Sequence, residues 1–280
     1  ICLDITENTL NEAIAIGANF IVSHHPLIFK SLKSITGKSL VEKLLIQAIK
    51  HEITLYAMHT NLDNVYEGVN YSFCDKLLLT NLRVLLPKKQ ILRKLITYVP
   101  LSHAETVRNE LFEAGAGHIN NYDCCSFNAN GIGTFKANDK ANPFVGNKNE
   151  IHSENETRIE ITFPDYKEKQ IISTLLKTHP YEEVTYDIYI LENPHPQVGS
   201  GMIGMLPVKK QTYDFLAFLK EKMKLSQLKY SKIIKKEILT VAFCGGSGAF
   251  LIQDAIAQKA DVFITGDINY HDFINYGDDI

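Results

Sequence analysis

Two adjacent histidines close a short apolar run, Asn19-Phe20-Ile21-Val22-Ser23-His24-His25-Pro26. Inside a strand, consecutive side chains face opposite ways, so neighbouring histidines could not share a site. At a strand end, where Pro26 takes the chain out of the ladder, both imidazoles can converge. Histidine is the commonest protein ligand for transition metals, which makes metal binding the first chemistry to consider. Taken alone, the pair is equally compatible with one capping and one core histidine. A second apolar run, Ile53-Thr54-Leu55-Tyr56-Ala57-Met58, ends in His59-Thr60-Asn61-Leu62-Asp63-Asn64. Strands of one parallel sheet finish on the same edge, where ligands bind, so His59 and Asp63 are expected beside His24 and His25. Imidazoles with a carboxylate form a mixed nitrogen and oxygen set suited to zinc, manganese, iron, cobalt or nickel. Alone, Asp63 would read as an Asx-turn or the N-cap of a helix over 65–78; its place on that edge assigns it to the site.

The C-terminal part repeats the pattern. Leu239–Cys244 is a strand leading into Gly245-Gly246-Ser247-Gly248 and a helix over 249–259. Such a turn can present backbone N–H groups to an anion, or can simply allow close packing. It lacks the P-loop lysine and the full dinucleotide fingerprint. Asp261–Thr265 is a further strand, followed by Gly266-Asp267-Ile268-Asn269-Tyr270-His271-Asp272. Asp267 and His271 would share a face if this turn is helical.

These strands must be positioned by helices. Residues 1–5 read as a strand and 7–16 as a helix capped by Thr6; a helix over 39–51 precedes the second histidine-bearing strand. Near-continuous apolar strands alternating with helices predict an α/β fold with a mostly parallel sheet flanked by helices. Near residue 92 the pattern changes. Strand 94–99, helix 102–115, a hairpin of 121–128 and 131–136 turned at Asn130-Gly131, a loop over 137–155, strand 157–163, helix 165–178 and strand 183–191 follow. The order β-α-β-β-α-β predicts a ferredoxin-like α+β insertion. The domains read as 1–92 and 194–280, two parts of one metal-binding α/β domain, around an insertion at 93–193. Within the insertion, His179, Glu182 and Glu183 read as a hydrogen-bonded polar turn. The first residues read as a strand already under way, and no element is finished at Asp278-Asp279-Ile280, so the chain reads as a piece cut at both ends.

Composition narrows the partners. The chain has 280 residues, 45% of them apolar, an ordinary content for a globular protein that can hold two domains. A net charge of −3 gives no basic face for nucleic acid, and Lys229, Lys232, Lys235 and Lys236 read as a solvated turn. Five cysteines without a disulfide or zinc-knuckle spacing fit a reducing cytoplasm. No signal peptide and no apolar run of membrane-spanning length is apparent.

Ser23-His24-His25-Pro26, His59-Thr60-Asn61-Leu62-Asp63, Gly245-Gly246-Ser247-Gly248, and Thr265-Gly266-Asp267 with Tyr270-His271 occur in an order that resembles the GTP cyclohydrolase 1 type 2 homologue family, also called NGG-interacting-factor-three-like. The insertion resembles the nitrogen-regulator-like, or CutA-like, domain of many bacterial members. The resemblance implies two divalent metal ions per subunit in a toroidal homohexamer, with metal ligands at His24, His25 and Asp63. His59, Asp267 and His271 sit in matching stretches and are carried over as residues lining the site. Of these, His59 and His271 are the candidate catalytic residues. Family members supply a further histidine and glutamate, four apart, beyond the point where this chain stops.

Two functions follow. In the first, a pair of metal ions polarises a substrate and lowers the pKa of water, His59 or His271 passes protons, and the protein hydrolyses a nucleotide-like or phosphorylated small molecule. In the second, the ring is a non-enzymatic metal-binding regulator or scaffold. A hydrolase requires an open coordination position; a structural role predicts a saturated one.

Overall fold

Thr6 fixes where regular structure begins. In the computed structural model, which describes residues 1–280, the Thr9 N–H donates to the Thr6 hydroxyl and the Thr6 N–H donates to the Thr9 hydroxyl. This capping box opens helix α1 (Glu7–Ala15), which turns Leu10 and Ala13 inward. Strand β1 (Phe20–Ser23), helix α2 (Leu40–Lys50) and strand β2 (Thr54–Ala57) follow. The two strands pair in parallel from Phe20↔Thr54 to Ser23↔Ala57. Leu10, Ile21, Leu44, Ala48 and Ile53 form the core beneath them. The segment expected as a strand at 1–5 makes only an isolated parallel bridge, Cys2 to Ser23.

The start of α2 is held by an ion rather than by apolar contact. Glu42 accepts from the Thr36 N–H (2.7 Å), the Thr36 hydroxyl (2.8 Å), the Lys38 N–H (3.2 Å) and the Ser39 hydroxyl (3.0 Å). These donors, the Thr36 backbone N–H foremost, lower its pKa from the ordinary 4.5 to about 2. A depressed carboxylate pKa gives stability that is present above the unfolded value and is lost as pH falls through the folded one. Protection of the Thr36 and Lys38 amides, taken as exchange relative to the intrinsic rate at each pH, should therefore hold at pH 5 and fall as pH drops from about 4.5 toward 2. In Glu42→Gln protection should already be low at pH 5 and should not change further over that range.

Beyond β2 come helices α3 (His59–Asn64) and α4 (Val69–Lys76) and strand β3 (Thr80–Pro87). The helix expected over 65–78 is the shorter α4, and α3, which the sequence did not announce, precedes it and carries His59 and Asp63. Next are β4 (Leu92–Pro100), α5 (Ala104–Glu113), β5 (Ser126–Lys136), β6 (Ile151–Pro164), α6 (Glu168–Thr178) and β7 (Tyr186–Ile190). The chain closes with β8 (Gly199–Gln211), α7 (Thr212–Lys222), β9 (Glu237–Cys244), α8 (Ile252–Ala257), β10 (Val262–Thr265) and α9 (Tyr270–Tyr276). It divides into two units: 1–86 with 197–280, and 87–196. No helix is long and apolar enough to cross a membrane.

In the first unit, the one mostly parallel sheet expected from the sequence is replaced by two sheets. β1 and β2 form a pair of their own, and a separate four-stranded sheet runs β10-β9-β8-β3. β10 and β9 are parallel, but β8 lies antiparallel to β9, with a bulge between Met205 and Lys210. Apolar runs reveal which segments are buried strands; they do not reveal which strand each one bonds. β8 is hidden in the sequence because Gly199, Gly201, Gly204 and Pro207 break its pattern. The strand beside it comes close at Gly204: a Cβ there would stand 2.5 Å from the tip of the Leu82 side chain and 3.0 Å from the Thr80 carbonyl oxygen.

The second unit has the sheet order β5-β6-β4-β7, with each pair antiparallel. α5 and α6 cover one face, and Leu95, Val107, Leu111, Ile159, Phe163 and Leu175 fill the core between. The hairpin expected at Asn130-Gly131 is absent. β5 runs straight through, pairing Asn130 with Thr157 and Gly131 with Glu156, while the Thr157 hydroxyl donates to Asn130 Oδ1 (3.0 Å). A β6 of 14 residues offers a longer ladder than a two-residue turn could, and the reversal moves to 137–150. His179 is buried and structural. The Tyr181 N–H donates to its Nδ1 (3.1 Å), so Nε2 carries the proton and donates to the Tyr98 carbonyl (2.9 Å). Burial pushes its pKa below the ordinary imidazole value, keeping it neutral.

Candidate metal centre

The N-terminal segment sets the histidine pair in place. The Cys2 N–H donates to the Val22 carbonyl, the His24 N–H to Cys2 and the His25 N–H to Leu3, so the segment runs beside the end of β1. Ser23, buried, donates its hydroxyl to the His25 carbonyl (2.8 Å) and bends the chain there. The ring centroids of His24 and His25 are 4.8 Å apart. From the end of β2, the Met58 N–H donates to Ser23 and the His59 N–H to His24. That tie holds His59 at φ +37, a left-handed conformation costing a non-glycine residue ~1–3 kcal/mol. Its ring then stands 5.8 Å from His24 and 5.9 Å from His25, with Phe29 against it at 5.7 Å. Asp63, one helical turn on, faces His24: Oδ1 to Nε2 is 3.8 Å. Three imidazoles and one carboxylate thus come together from β1 and α3.

The donor types fit a divalent ion. A gap of 3.8 Å is too long for a hydrogen bond and is close to the ~3.4 Å between two ligands of a tetrahedral ion with bonds of ~2.1 Å. As arranged, no three histidine, cysteine, aspartate or glutamate side chains close tightly enough to grip an ion by themselves. The centre is a pair with further imidazoles beside it.

Two supports were not visible in the sequence. The first is Asp4, whose Oδ1 accepts from the His25 Nδ1–H at 2.8 Å. In the neutral imidazole that bond sets the proton on Nδ1 and leaves the Nε2 lone pair free, the form a metal ligand must take. The residues are 21 apart, and nothing in the spacing announced the contact. The second is Asn70, only 2% exposed, which joins the histidine edge to β9. Its Nδ2 donates to the Asp63 carbonyl (2.8 Å) and its Oδ1 accepts from the Gly245 N–H (2.8 Å). Asp63 is close enough to act on Cys244, whose thiol is pushed up to about 11 by burial first and by the Asp63 charge second.

The other predicted residues lie apart. Asn269 caps α9, so the turn is helical only from Tyr270 onward and Asp267 precedes it. His271 packs its ring on Tyr270 (5.6 Å), and no hydrogen bond, ion pair or ring contact ties His271 or Asp267 to the histidine cluster. The glycine turn is built for packing. The Gly245 N–H is spent on Asn70, the Gly248 N–H donates to the Thr265 hydroxyl (2.9 Å), and Thr265 donates to the Gly246 carbonyl (2.8 Å). A Cβ at Gly248 would stand 2.6 Å from that of Cys244. A 3-10 turn and a helix of only six residues follow, too short for the anion site considered from the sequence.

A two-unit α/β protein with histidines and a carboxylate gathered at strand ends is a defined class, and comparison with known proteins places the chain within it. The profile of the family Duf34/NIF3 (NGG1p interacting factor 3) matches residues 1–279. Proteins of Halalkalibacterium halodurans and Bacillus subtilis, both called GTP cyclohydrolase 1 type 2 homolog, are 38% and 39% identical to it. The matches cover 96% and 97% of this chain and 73% of each relative. A crystal structure of a Bacillus cereus protein related to NIF3 superposes with a TM-score of 0.83 at 37% identity, over 98% of this chain and 73% of that one. The chain belongs to the Duf34/NIF3 family.

Proposed function

We propose that His24, His25 and Asp63 hold divalent metal, two ions per subunit, and that the protein is a metal-dependent hydrolase of a nucleotide-like or phosphorylated small molecule. The observation that carries the reading is the approach of His24 Nε2 to Asp63 Oδ1, 3.8 Å apart with His25 and His59 alongside. Ions held there would supply Lewis acidity and lower the pKa of water. His59, held in place through its backbone, is positioned to take or give a proton beside the ligands; His271, outside the cluster on α9, is the second candidate through the family resemblance alone. The relatives' name is what points to a nucleotide-like substrate. Zinc, manganese, iron, cobalt and nickel all suit these donors.

The reading extends to a toroidal homohexamer in a reducing cytoplasm, supported by the family resemblance and by five free thiols, Cys74 and Cys244 among them buried. It takes residues 87–196 as a ferredoxin-like, CutA-like insertion, supported by the β-α-β-β-α-β order and the strand order β5-β6-β4-β7. The test is turnover of a nucleotide and phosphoester panel by metal-loaded protein, with and without chelator. Chelator-sensitive hydrolysis that falls in His59→Ala supports the reading. Metal-loaded protein inert across the panel returns the alternative, a metal-binding regulatory or scaffold ring.

Asp4 supplies a separate prediction. Asp4→Asn keeps the size of the side chain but no longer favours the His25 tautomer that frees Nε2. Metal affinity should drop ~10- to 100-fold, read by competition with a chromophoric chelator, with the melting temperature unchanged.

A further inference from the structure

A deep cleft lies entirely within the second unit. A cleft of about 1150 Å³ opens on the face of the β5-β6-β4-β7 sheet opposite α5 and α6. Its charged floor is Glu156, on β6, whose residue is only 9% exposed. One carboxylate oxygen is satisfied: the Tyr181 hydroxyl donates to Oε1 at 2.8 Å. The other, Oε2, lies where a side chain at Gly133 would go, 2.2 Å from an ideal Cβ there, and receives no hydrogen bond from the chain. Glycine at 133 thus makes room for a carboxylate that is largely withdrawn from water and half-satisfied.

Aromatic rings line the same cleft. Phe135 and Phe144 lie 6.2 Å and 6.3 Å from Tyr181, ring to ring. The loop that carries Phe144 is fastened over the cleft, since the Asn142 N–H donates to Glu182 Oε1 (2.7 Å) and the Asn149 N–H to the Ala137 carbonyl (2.7 Å). The nearby cations do not neutralise Glu156. Arg158 is paired with Glu160 (3.0 Å), and Lys136 and Lys140 are exposed at the rim, where water screens them. Glu182 is spent on the loop, and Glu183 is exposed at the rim.

We propose that this cleft binds a small organic cation, an ammonium or amidinium on an apolar or planar body, with Glu156 Oε2 accepting from its N–H or facing its charge and Phe135, Phe144 and Tyr181 enclosing the body. Two physical demands select that class. A mostly buried carboxylate with one oxygen open to the cleft calls for a positive partner. Aromatic faces attract cations and planar groups, whereas they give an anion nothing. The site is independent of the metal centre, which lies in the other unit.

The experiment is calorimetric titration of the whole chain with phenethylammonium, choline and guanidinium, beside acetate and inorganic phosphate as anionic controls. Saturable binding of at least one cation and of neither anion is expected. Glu156→Gln keeps the acceptor for Tyr181 and removes the charge, and should weaken binding at least about tenfold with an unchanged melting profile. Phe144→Leu, at a half-exposed position, should weaken it by a smaller factor and guards against a folding artefact at Glu156. No saturable cation binding, equal affinity in Glu156→Gln, or preference for phosphate would each overturn the proposal. So would protection of the cleft by a second copy, seen as self-association that Phe144→Leu abolishes while no cation competes.

Discussion

Asp63→Ala is expected to strip the protein of metal. The parent, reconstituted and desalted, should carry two divalent ions per chain by elemental analysis; the variant should lose at least about a hundredfold in affinity, more than loss of a supporting contact alone would cost. The reason is the geometry. Asp63 is the one carboxylate facing His24, and without it the donors beside His24 are imidazoles alone, with no negative charge to offset that of the ion. His25→Ala should act the same way through loss of a nitrogen donor. Neither variant should unfold the protein. Asp63 is about a quarter exposed and its pairing with His24 is too long to contribute much stability, so its removal should change stability by less than ~1 kcal/mol. Metal retained by both variants, or none in the parent, would remove the basis of the proposed hydrolase.

The second large effect falls on a residue that touches no substrate. Asn70→Ala should destabilise the first unit by about 2–4 kcal/mol, because two hydrogen bonds vanish and their partners, the Asp63 carbonyl and the Gly245 N–H, lose them together. For a unit of this size each kcal/mol corresponds to a fall in melting temperature of about 2–4 °C. Metal affinity should fall as well, since Asn70 holds the backbone of Asp63 against the end of β9. Asn70→Asp, which keeps the acceptor for Gly245 but loses the donor to Asp63, separates the two bonds. A melting temperature unchanged in both variants would show that solvent replaces the bridge.

Much of the centre could be read from the chain alone because its signals are local. His24 and His25 sit where an apolar run meets a proline, and His59 and Asp63 are four apart after a second run, a spacing that α3 turns into one face. Asp267 and His271 have the same spacing and did not become neighbours of one another, because Asn269 begins the helix between them. The glycine-rich turn has the composition of an anion cradle, but its Gly245 and Gly248 N–H groups are taken by Asn70 and Thr265. Residue types were correct in each case; the hydrogen-bond partners decided what they do.

What the sequence determined by itself is therefore the set of elements with strong short-range signals: α1 from its Thr6 cap, α2 from its apolar stripe, β1, β2, β9 and β10 from their unbroken apolar runs, and the donors at their ends. Tertiary structure alone decided the rest. It split the strands between two sheets and set β8 antiparallel against β9, ran β5 through Asn130-Gly131, and brought Asp4 to His25 and Asn70 between Asp63 and Gly245. The physical reason is common to all of these. Periodicity and capping are energies between residues a few positions apart, whereas strand partners and buried polar bridges are chosen by which distant groups remain to be satisfied once the apolar faces have closed.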